Sequence, residues 1–212
     1  MITIKKFVFN PFQVNTYLLY DETGECVIID PGCYEEYEEE QLQDFIAEKS
    51  LKPVKLLNTH SHVDHILGNN FVARTYDLKP VIHKGGLGFH RAAPQHGEAF
   101  GMSISTQPEP ADFIEEGDKI HFGSSALEVL YAPGHVDGHV CFLHHAQEFV
   151  IVGDVIFQMS IGRTDLPSGN MDLLLSNIRE KILQLPDEFT LYPGHGPSTT
   201  VGFEKKNNPF LG

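Results

Sequence analysis

The chain has 212 residues, of which 41% are hydrophobic and 21% charged, a length that suits one domain whose core needs no disulfide or metal staples. Lys and Arg number 15 against 29 Asp and Glu, so the formal net charge is −14. This balance excludes a nucleic-acid binder that follows phosphates, because such a protein needs clustered Lys and Arg, and it disfavours anionic membrane surfaces.

Cysteine content and hydropathy indicate the cellular compartment in which the protein is expected. The three cysteines, Cys26, Cys33 and Cys141, form no C-x-x-C pair and are too few for a disulfide framework. No apolar run approaches the roughly 18 residues of a membrane span, and the first residues show no pattern of a secretory signal. We therefore expect a cytoplasmic protein.

The first half of the chain alternates β-rich runs with two helical patterns, separated by turn residues. The predicted strands are 2–9, 16–20, 26–29, 54–57 and 80–83, and the predicted helices are 35–49 and 64–76. Residues 84–110 are rich in Gly, Pro and polar side chains and are too long for a plain connection. We predict that they form a partly helical flap over a site.

The second half repeats the alternation. Its predicted strands are 119–122, 127–131, 140–143, 149–152 and 189–192, with one helix at about 171–184 and a Gly/Pro-rich tail. Alternating strands and helices in two similar halves favour a layered α/β architecture. No linker separates the halves, so we predict one domain over residues 1–212.

The segment Thr59-His60-Ser61-His62-Val63-Asp64-His65 places three histidines and an aspartate between a predicted strand and a predicted helix. Side chains two residues apart in an extended segment point the same way, so His60 and His62 can bind one cation together. The turn into the helix directs Asp64 and His65 toward a neighbouring point. Histidine is the commonest metal ligand, and the segment therefore predicts a metal centre.

Three further candidates follow apolar β-runs: His135 and His195, each after Pro-Gly, and Asp154 after Gly153. Taken singly, each is more often a turn or cap residue. Together with the first cluster they are better explained as ligands, because so many unpaired imidazoles and carboxylates would be costly to desolvate. The predicted set is His60, His62 and His135 for one ion, Asp64, His65 and His195 for a second, and Asp154 between them. Such ligands suit zinc, and also iron or manganese.

These motifs, in this order, resemble the metallo-β-lactamase superfamily, and the resemblance covers nearly the whole chain. It implies an α/β fold, the αββα four-layer sandwich of two mixed β-sheets flanked by helices. The segments 162–167, 193–197 and 208–210 are similar to those of short, single-domain bacterial glyoxalase II-like hydrolases. Longer glyoxalase II enzymes carry a C-terminal helical domain with part of the glutathione site, and we expect none here.

The resemblance implies cleavage of an acyl thioester, S-lactoylglutathione or a similar small molecule. A hydroxide bridging two divalent ions can exist near neutral pH, because metal binding lowers the pKa of water to about 7. Asp64 is predicted to bind metal and also to orient that hydroxide. No Gly-x-Ser-x-Gly nucleophile motif is present.

Other polar residues near these motifs also have expected roles. Arg163 is expected beside the site, either binding a substrate carboxylate or pairing with Asp165 to shape its loop. His139 is expected to orient a ligand or loop through a hydrogen bond. The other histidines are expected to be surface or satisfied side chains: His83, His90, His96, His121, His144 and His145.

Two alternatives to a hydrolase remain. Persulfide dioxygenases share the fold and a Gly-Arg-Thr-Asp segment, and the resemblance implies one iron held by residues corresponding to His60, His135 and Asp154. A metal-storing module is the non-enzyme alternative, and its ions would have no open coordination position. A β-lactamase is disfavoured by the expected absence of a signal peptide, and a nuclease by the net charge of −14.

Overall fold

The computed structural model describes residues 1–211, and Gly212, the last residue of the predicted domain, lies outside them. The elements of the first half are β1 (Thr3–Phe9), β2 (Val14–Tyr20), β3 (Glu25–Ile29), α1 (Glu36–Glu48), β4 (Lys52–Leu57), α2 (Val63–Ile66), α3 (Asn69–Tyr76), β5 (Pro80–Ile82), α4 (Leu87–Arg91), α5 (Ala93–Ala99) and β6 (Asp112–Phe113). The flap predicted at 84–110 is thus partly helical, since it holds α4 and α5.

The second half contains most of the remaining strands. Its elements are β7 (Lys119–Phe122), β8 (Ser125–Tyr131), β9 (Val140–His144), β10 (Phe149–Gly153), β11 (Ile156–Phe157), β12 (Ser160–Ile161), α6 (Met171–Asn177), β13 (Thr190–Pro193), β14 (Thr199–Thr200) and α7 (Val201–Asn207). Helix α6 continues into a wider π-turn at Ile178–Ile182. In the described part of the chain, none of the helices has the length and apolar character needed to cross a bilayer.

The strands form two mixed six-stranded sheets. In the first, the order is β1-β2-β3-β4-β5-β6; β1, β2 and β3 pair antiparallel, and β3, β4, β5 and β6 pair in parallel. In the second, the order is β14-β13-β10-β9-β8-β7, and only β10 and β13 pair in parallel. Strands β11 and β12 form a separate hairpin. The predicted two mixed sheets flanked by helices are confirmed.

Period-two alternation along the central strands builds the layers. In β2, Tyr17 and Leu19 face the second sheet and join the core between the sheets. Their neighbour Leu18 faces the other way and packs with Leu42 of α1 and Phe71 of α3. A third core lies between the second sheet and α6 and α7. Buried apolar side chains on both faces of each sheet therefore give the order helix, sheet, sheet, helix.

Two local predictions are wrong. The helix predicted at 64–76 is divided into α2 and α3 at Gly68, whose backbone N–H donates to Pro31 O over 2.7 Å. A Cβ at Gly68 would overlap the Cys33 sulfur, so the chain turns where only glycine fits. The predicted Gly/Pro-rich tail contains α7, which is capped by Thr200 accepting from the backbone N–H of Phe203.

Leu56 of β4 tests the packing between the first sheet and its helices. Its side chain is fully buried in that core, so Leu56→Ala should lower the free energy of unfolding by about 2–5 kcal/mol. Leu173→Ala, at a leucine that is 40% exposed on α6, should cost less than about 0.5 kcal/mol. Urea unfolding of the two metal-loaded variants measures both values, and equal losses would contradict this packing.

Candidate metal centre

The predicted ligands leave the two sheets at neighbouring strand ends. Strands β10 and β13 are parallel, and β8 runs the same way because two antiparallel pairings separate it from β10. Their carboxyl ends therefore lie at one edge of the second sheet. Val140 N donates to Thr59 O over 2.8 Å and joins this edge to the end of β4. The ligands follow β4 (His60, His62, and Asp64 and His65 in α2), β8 (His135), β10 (Asp154) and β13 (His195).

Three histidines form the first group of ligand atoms. The ring centres of His60 and His62 lie 4.8 Å apart, and the His135 ring lies 5.1 and 4.6 Å from them. Nε2 of His135 is 2.9 Å from Nδ1 of His62. One nitrogen of each ring lies within 4.8 Å of the others, which is close enough for one metal ion to bind all three.

The second group combines a carboxylate with two histidines. Nε2 of His195 lies 3.2 Å from Oδ2 of Asp64, and Nε2 of His65 lies 3.5 Å from the same oxygen. The rings of His65 and His195 meet edge to face, with centres 5.3 Å apart. These three side chains can likewise hold one ion.

Asp154 lies between the two groups. Its Oδ1 is 3.4 Å from Nε2 of His65, and its Oδ2 is 3.5 Å from Nε2 of His195. The same Oδ2 is 3.7 Å from Nε2 of His135 in the first group. The structure thus brings all seven predicted side chains into one cluster, with Asp154 where a bridging ligand would lie.

Hydrogen bonds on the Nδ1 side fix the tautomers of His65 and His60. Nδ1 of His65 lies 3.0 Å from a carboxylate oxygen of Asp30, which can only accept. The Thr59 hydroxyl donates to Asp30 over 2.6 Å and lies 3.0 Å from Nδ1 of His60, so it accepts there. Each Nδ1 therefore carries a proton, and when the ring is neutral, as a metal ligand must be, its Nε2 lone pair points into the centre.

The same arrangement holds for His135 and His195. Nδ1 of His135 donates to Arg163 O over 2.7 Å, and Nδ1 of His195 donates to Phe12 O over 3.1 Å. Because carbonyl oxygens only accept, both neutral rings also present Nε2 as a lone pair. Outer hydrogen bonds of this kind orient histidines that bind metal.

Several atoms of the cluster are buried without a hydrogen-bond partner. They include Nε2 of His60, Nε2 of His65 and Oδ1 of Asp154. Orphaned acceptors in a buried cluster are costly unless a cation satisfies them. The imidazole and carboxylate donors of this site therefore fit divalent metal ions.

Burial lowers the pKa of His60, whereas neighbouring carboxylates raise the pKa of His65. Desolvation and the neighbouring His65 hold the pKa of His60 well below its ordinary value. Burial also acts to lower the pKa of His65, but Asp64, Asp154 and Asp30 outweigh it and hold that pKa well above 6.5. The carboxylates thus draw positive charge to this point, and a metal cation can take the place of the proton.

Asp30 is a residue of the site that the sequence analysis missed. It follows β3 with a positive φ of 50° and is 1% exposed. Besides His65 and the Thr59 hydroxyl, it accepts the Thr59 backbone N–H over 2.7 Å. Its position directly after an apolar strand is the same signal that marked Asp154.

His139 and Gly194 pack directly on Asp154. Nε2 of His139 accepts the Asp154 backbone N–H over 3.0 Å, and its ring stacks on His60 with centres 4.8 Å apart. A Cβ at Gly194 would overlap Oδ1 of Asp154, so glycine is required for the close approach. His139 therefore has the orienting position expected for it.

A cavity of about 560 Å³ opens on the centre, lined by His62, Asp64, His135, Asp154 and His195 among others. The flap supplies part of its wall, as predicted. The spacing of apolar residues in the sequence did not identify the four phenylalanines that line this cavity: Phe12, Phe89, Phe100 and Phe157. His96, expected among the surface or satisfied histidines, also lines this cavity.

Arg163 lines the same cavity. Its guanidinium makes two hydrogen bonds to the Asp165 carboxylate, of 2.7 and 2.8 Å, and both side chains are largely exposed. The structure therefore contains the Arg163–Asp165 ion pair, which is one of the two roles expected for Arg163.

Comparisons with known proteins give a consistent family. Residues 9–195 match the metallo-beta-lactamase superfamily. Over 202 residues the chain is 39% identical to "Probable metallo-hydrolase YqgX" of Bacillus subtilis, covering 95% of this chain and 93% of that one. It is 36% identical over 202 residues to the hydroxyacylglutathione hydrolase GloC of Haemophilus influenzae, covering 94% and 93%.

Solved structures agree with this match. The B3 metallo-beta-lactamase BLEG-1 superposes with a TM-score of 0.89 at 34% identity, covering 99% of both chains. TTHA1623, crystallised in a di-iron-bound form, superposes with a TM-score of 0.88 at 36% identity, covering 98% of this chain and 100% of that one.

Asp154 and His195 test how the ligands are shared. The Asp154→Ala variant lacks the carboxylate between the two ligand groups and should lose both ions, whereas the His195→Ala variant should lose mainly one. Plasma mass spectrometry of the purified proteins counts the ions. His121→Ala, at an exposed histidine of β7, is the control and should keep the wild-type content. Equal metal content in all three variants would contradict this ligand set.

Proposed function

The chain belongs to the metallo-beta-lactamase superfamily, as a metal-dependent hydrolase, and from that premise we propose that it hydrolyses acyl thioesters. The observation that carries the proposal is the pair of ligand groups sharing Asp154 at the base of one cavity. The similarity to GloC, named a hydroxyacylglutathione hydrolase, supports a thioester such as S-lactoylglutathione. The proposed location is cytoplasmic, which agrees with three buried free thiols.

The proposal assigns two ions to the seven ligands. His60, His62 and His135 hold one, Asp64, His65 and His195 hold the other, and Asp154 contacts both groups. Zinc suits a set dominated by imidazoles, and iron or manganese are the alternatives; the similar TTHA1623 was crystallised in a di-iron-bound form. When bound, such ions polarise a carbonyl oxygen and make water acidic enough to attack near neutral pH.

The chain's own groups prepare the reactants. The Asp64 carboxylate lines the cavity, and its side chain is 15% exposed. It can accept a proton from the attacking water and orient the oxygen of that water toward the carbonyl carbon. Water adds an OH to the acyl group and a proton to sulfur, and a thiol is a good enough leaving group to need no strong acid.

A thioester panel, with S-lactoylglutathione first, tests the proposed reaction. The metal-loaded protein should release free thiol, measured by a thiol-reactive dye, and this release should disappear in Asp154→Ala. Glutathione persulfide with an oxygen electrode and a chromogenic cephalosporin form the comparison arms. Oxygen uptake on the persulfide with one iron per chain would establish the dioxygenase instead, and cephalosporin cleavage without thioester cleavage would favour a β-lactamase.

The second candidate, a persulfide dioxygenase, uses only the residues corresponding to His60, His135 and Asp154. The second ligand group favours the hydrolase, because a one-iron site would leave Asp64, His65 and His195, which can hold an ion, without one. A metal-storing module fits less well, because the cluster opens onto a cavity large enough for a substrate.

Asp64→Asn separates the two roles proposed for this residue. The amide keeps an oxygen that can bind metal but is a much weaker proton acceptor. We expect kcat to fall at least about 100-fold with metal content unchanged, as measured by turnover and mass spectrometry on the same sample. A fall in activity that only parallels lost metal would leave Asp64 as a ligand alone.

Arg163 is proposed to bind the substrate at the cavity rim. Asp165 engages two of its five N–H donors, so the guanidinium can still bind a carboxylate of the substrate. Arg163→Ala should raise KM for S-lactoylglutathione roughly tenfold with kcat little changed. Arg179→Ala, at an exposed arginine of the π-turn after α6, should change neither, and identical kinetics for both variants would remove Arg163 from the site.

A further inference from the structure

The walls of the cavity differ sharply from its base. The base carries the five metal-centre side chains, whereas nine of the seventeen lining residues are apolar. The most prominent are Phe12, Phe89, Phe100 and Phe157, which come from the β1–β2 turn, the flap and strand β11. A metal-dependent hydrolysis needs none of these rings, so their function must concern the part of the substrate that does not react.

Two of the rings extend the apolar wall to the metal centre itself. Phe89 in α4 meets the His62 ring edge to face, with centres 5.8 Å apart. Phe157 in β11 meets the His195 ring in the same way, at 6.1 Å. One ring thus contacts each ligand group, and a substrate group next to the scissile bond would lie between them.

The other two rings pack on each other in the same wall. Phe12 lies in the turn between β1 and β2, and Phe100 follows α5 in the flap. Their rings meet edge to face with centres 5.4 Å apart. Phe100 lines the cavity and remains 52% exposed, a large apolar surface that a bound apolar group would cover.

Charge in the cavity argues in the same direction. Apart from the metal-centre residues, the polar residues that line the cavity are His96, Ser160 and Arg163. Within the described residues 1–211, no lysine lines it. The Arg163 guanidinium pairs with Asp165 through two of its five N–H donors. Away from the ions proposed for the base, an anionic group of the substrate would therefore meet one cationic side chain, Arg163, in a chain of net charge −14.

We propose that the substrate is a thioester with an apolar arm, an aliphatic chain of several carbons or an aryl group, which lies against Phe12, Phe89, Phe100 and Phe157. This inference rests on the proposed thioester hydrolysis and narrows its substrate class. A cavity of about 560 Å³ is in the range that encloses ligands of this size. A small polar acyl group such as lactoyl leaves most of the apolar wall uncovered.

The experiment measures kcat/KM for two matched series on the metal-loaded protein. The acyl series places acetyl, lactoyl, butanoyl, hexanoyl and benzoyl groups on N-acetylcysteamine. The thiol series places an acetyl group on ethanethiol, butanethiol and hexanethiol. In one series kcat/KM should rise by about fourfold for each added methylene until the cavity is filled, and that series identifies the half of the substrate that carries the arm.

Binding of the products gives a readout that is independent of turnover. If the arm is the acyl group, calorimetric titration should show hexanoate and benzoate binding at least tenfold more tightly than acetate. If it is the thiol half, hexanethiol should exceed ethanethiol by the same factor. Values of kcat/KM that are flat or fall with chain length in both series would overturn the apolar arm and leave thioester hydrolysis standing. No hydrolysis of any thioester would overturn both proposals.

Phe100→Ala tests the wall directly. It should lower the ratio of kcat/KM between the longest and shortest members of the responding series by about tenfold, and Phe100→Leu should restore most of that ratio. Phe203→Ala removes a phenylalanine of similar exposure, 39%, on α7 away from the cavity and should leave the ratio unchanged. Equal ratios in Phe100→Ala and Phe203→Ala would contradict the assigned wall.

Discussion

The structure depends on one electrostatic requirement, namely that a buried cluster of lone pairs and carboxylates be neutralised by cations. Nε2 of His60, Nε2 of His65 and Oδ1 of Asp154 are buried with no partner in the protein. Burying such groups alone costs several kcal/mol each, whereas metal coordination satisfies them together. Since the unfolded chain offers no such cluster, ion binding and folding of this region should be coupled.

The fold meets this requirement by joining its two sheets at the edge where the ligands lie. Gly194 N donates to Gly153 O over 2.8 Å, and Asn15 N donates to Gly194 O over 2.6 Å. The Tyr17 hydroxyl donates to Pro193 O over 2.7 Å from the core between the sheets, and burial raises the pKa of this phenol. Ligands from distant segments are thus attached to one rigid backbone network, which gives the preorganisation that a metal centre needs.

The metal-ligand candidates and the cavity wall come from different parts of the molecule. The strand ends supply the ligands, while the β1–β2 turn, the flap and the hairpin β11–β12 supply the aromatic wall. Loops on a rigid scaffold can change without disturbing the centre beneath them. Chains similar to this one carry names as different as hydroxyacylglutathione hydrolase and B3 metallo-beta-lactamase.

The sequence by itself determined the strands longer than two residues, most of the helices, the flap, and the seven ligand candidates, because apolar periodicity and the positions of His and Asp after strands are local properties. It misjudged the break at Gly68 and the helix α7, where one close contact or one cap decided the outcome. Only the tertiary structure decided which nitrogen each histidine presents, since Nδ1 of His195 is fixed by Phe12 O, 183 residues away. It also decided the part played by Asp30 and the aromatic wall. Those contacts depend on how distant segments pack, and no local pattern in the chain records that packing.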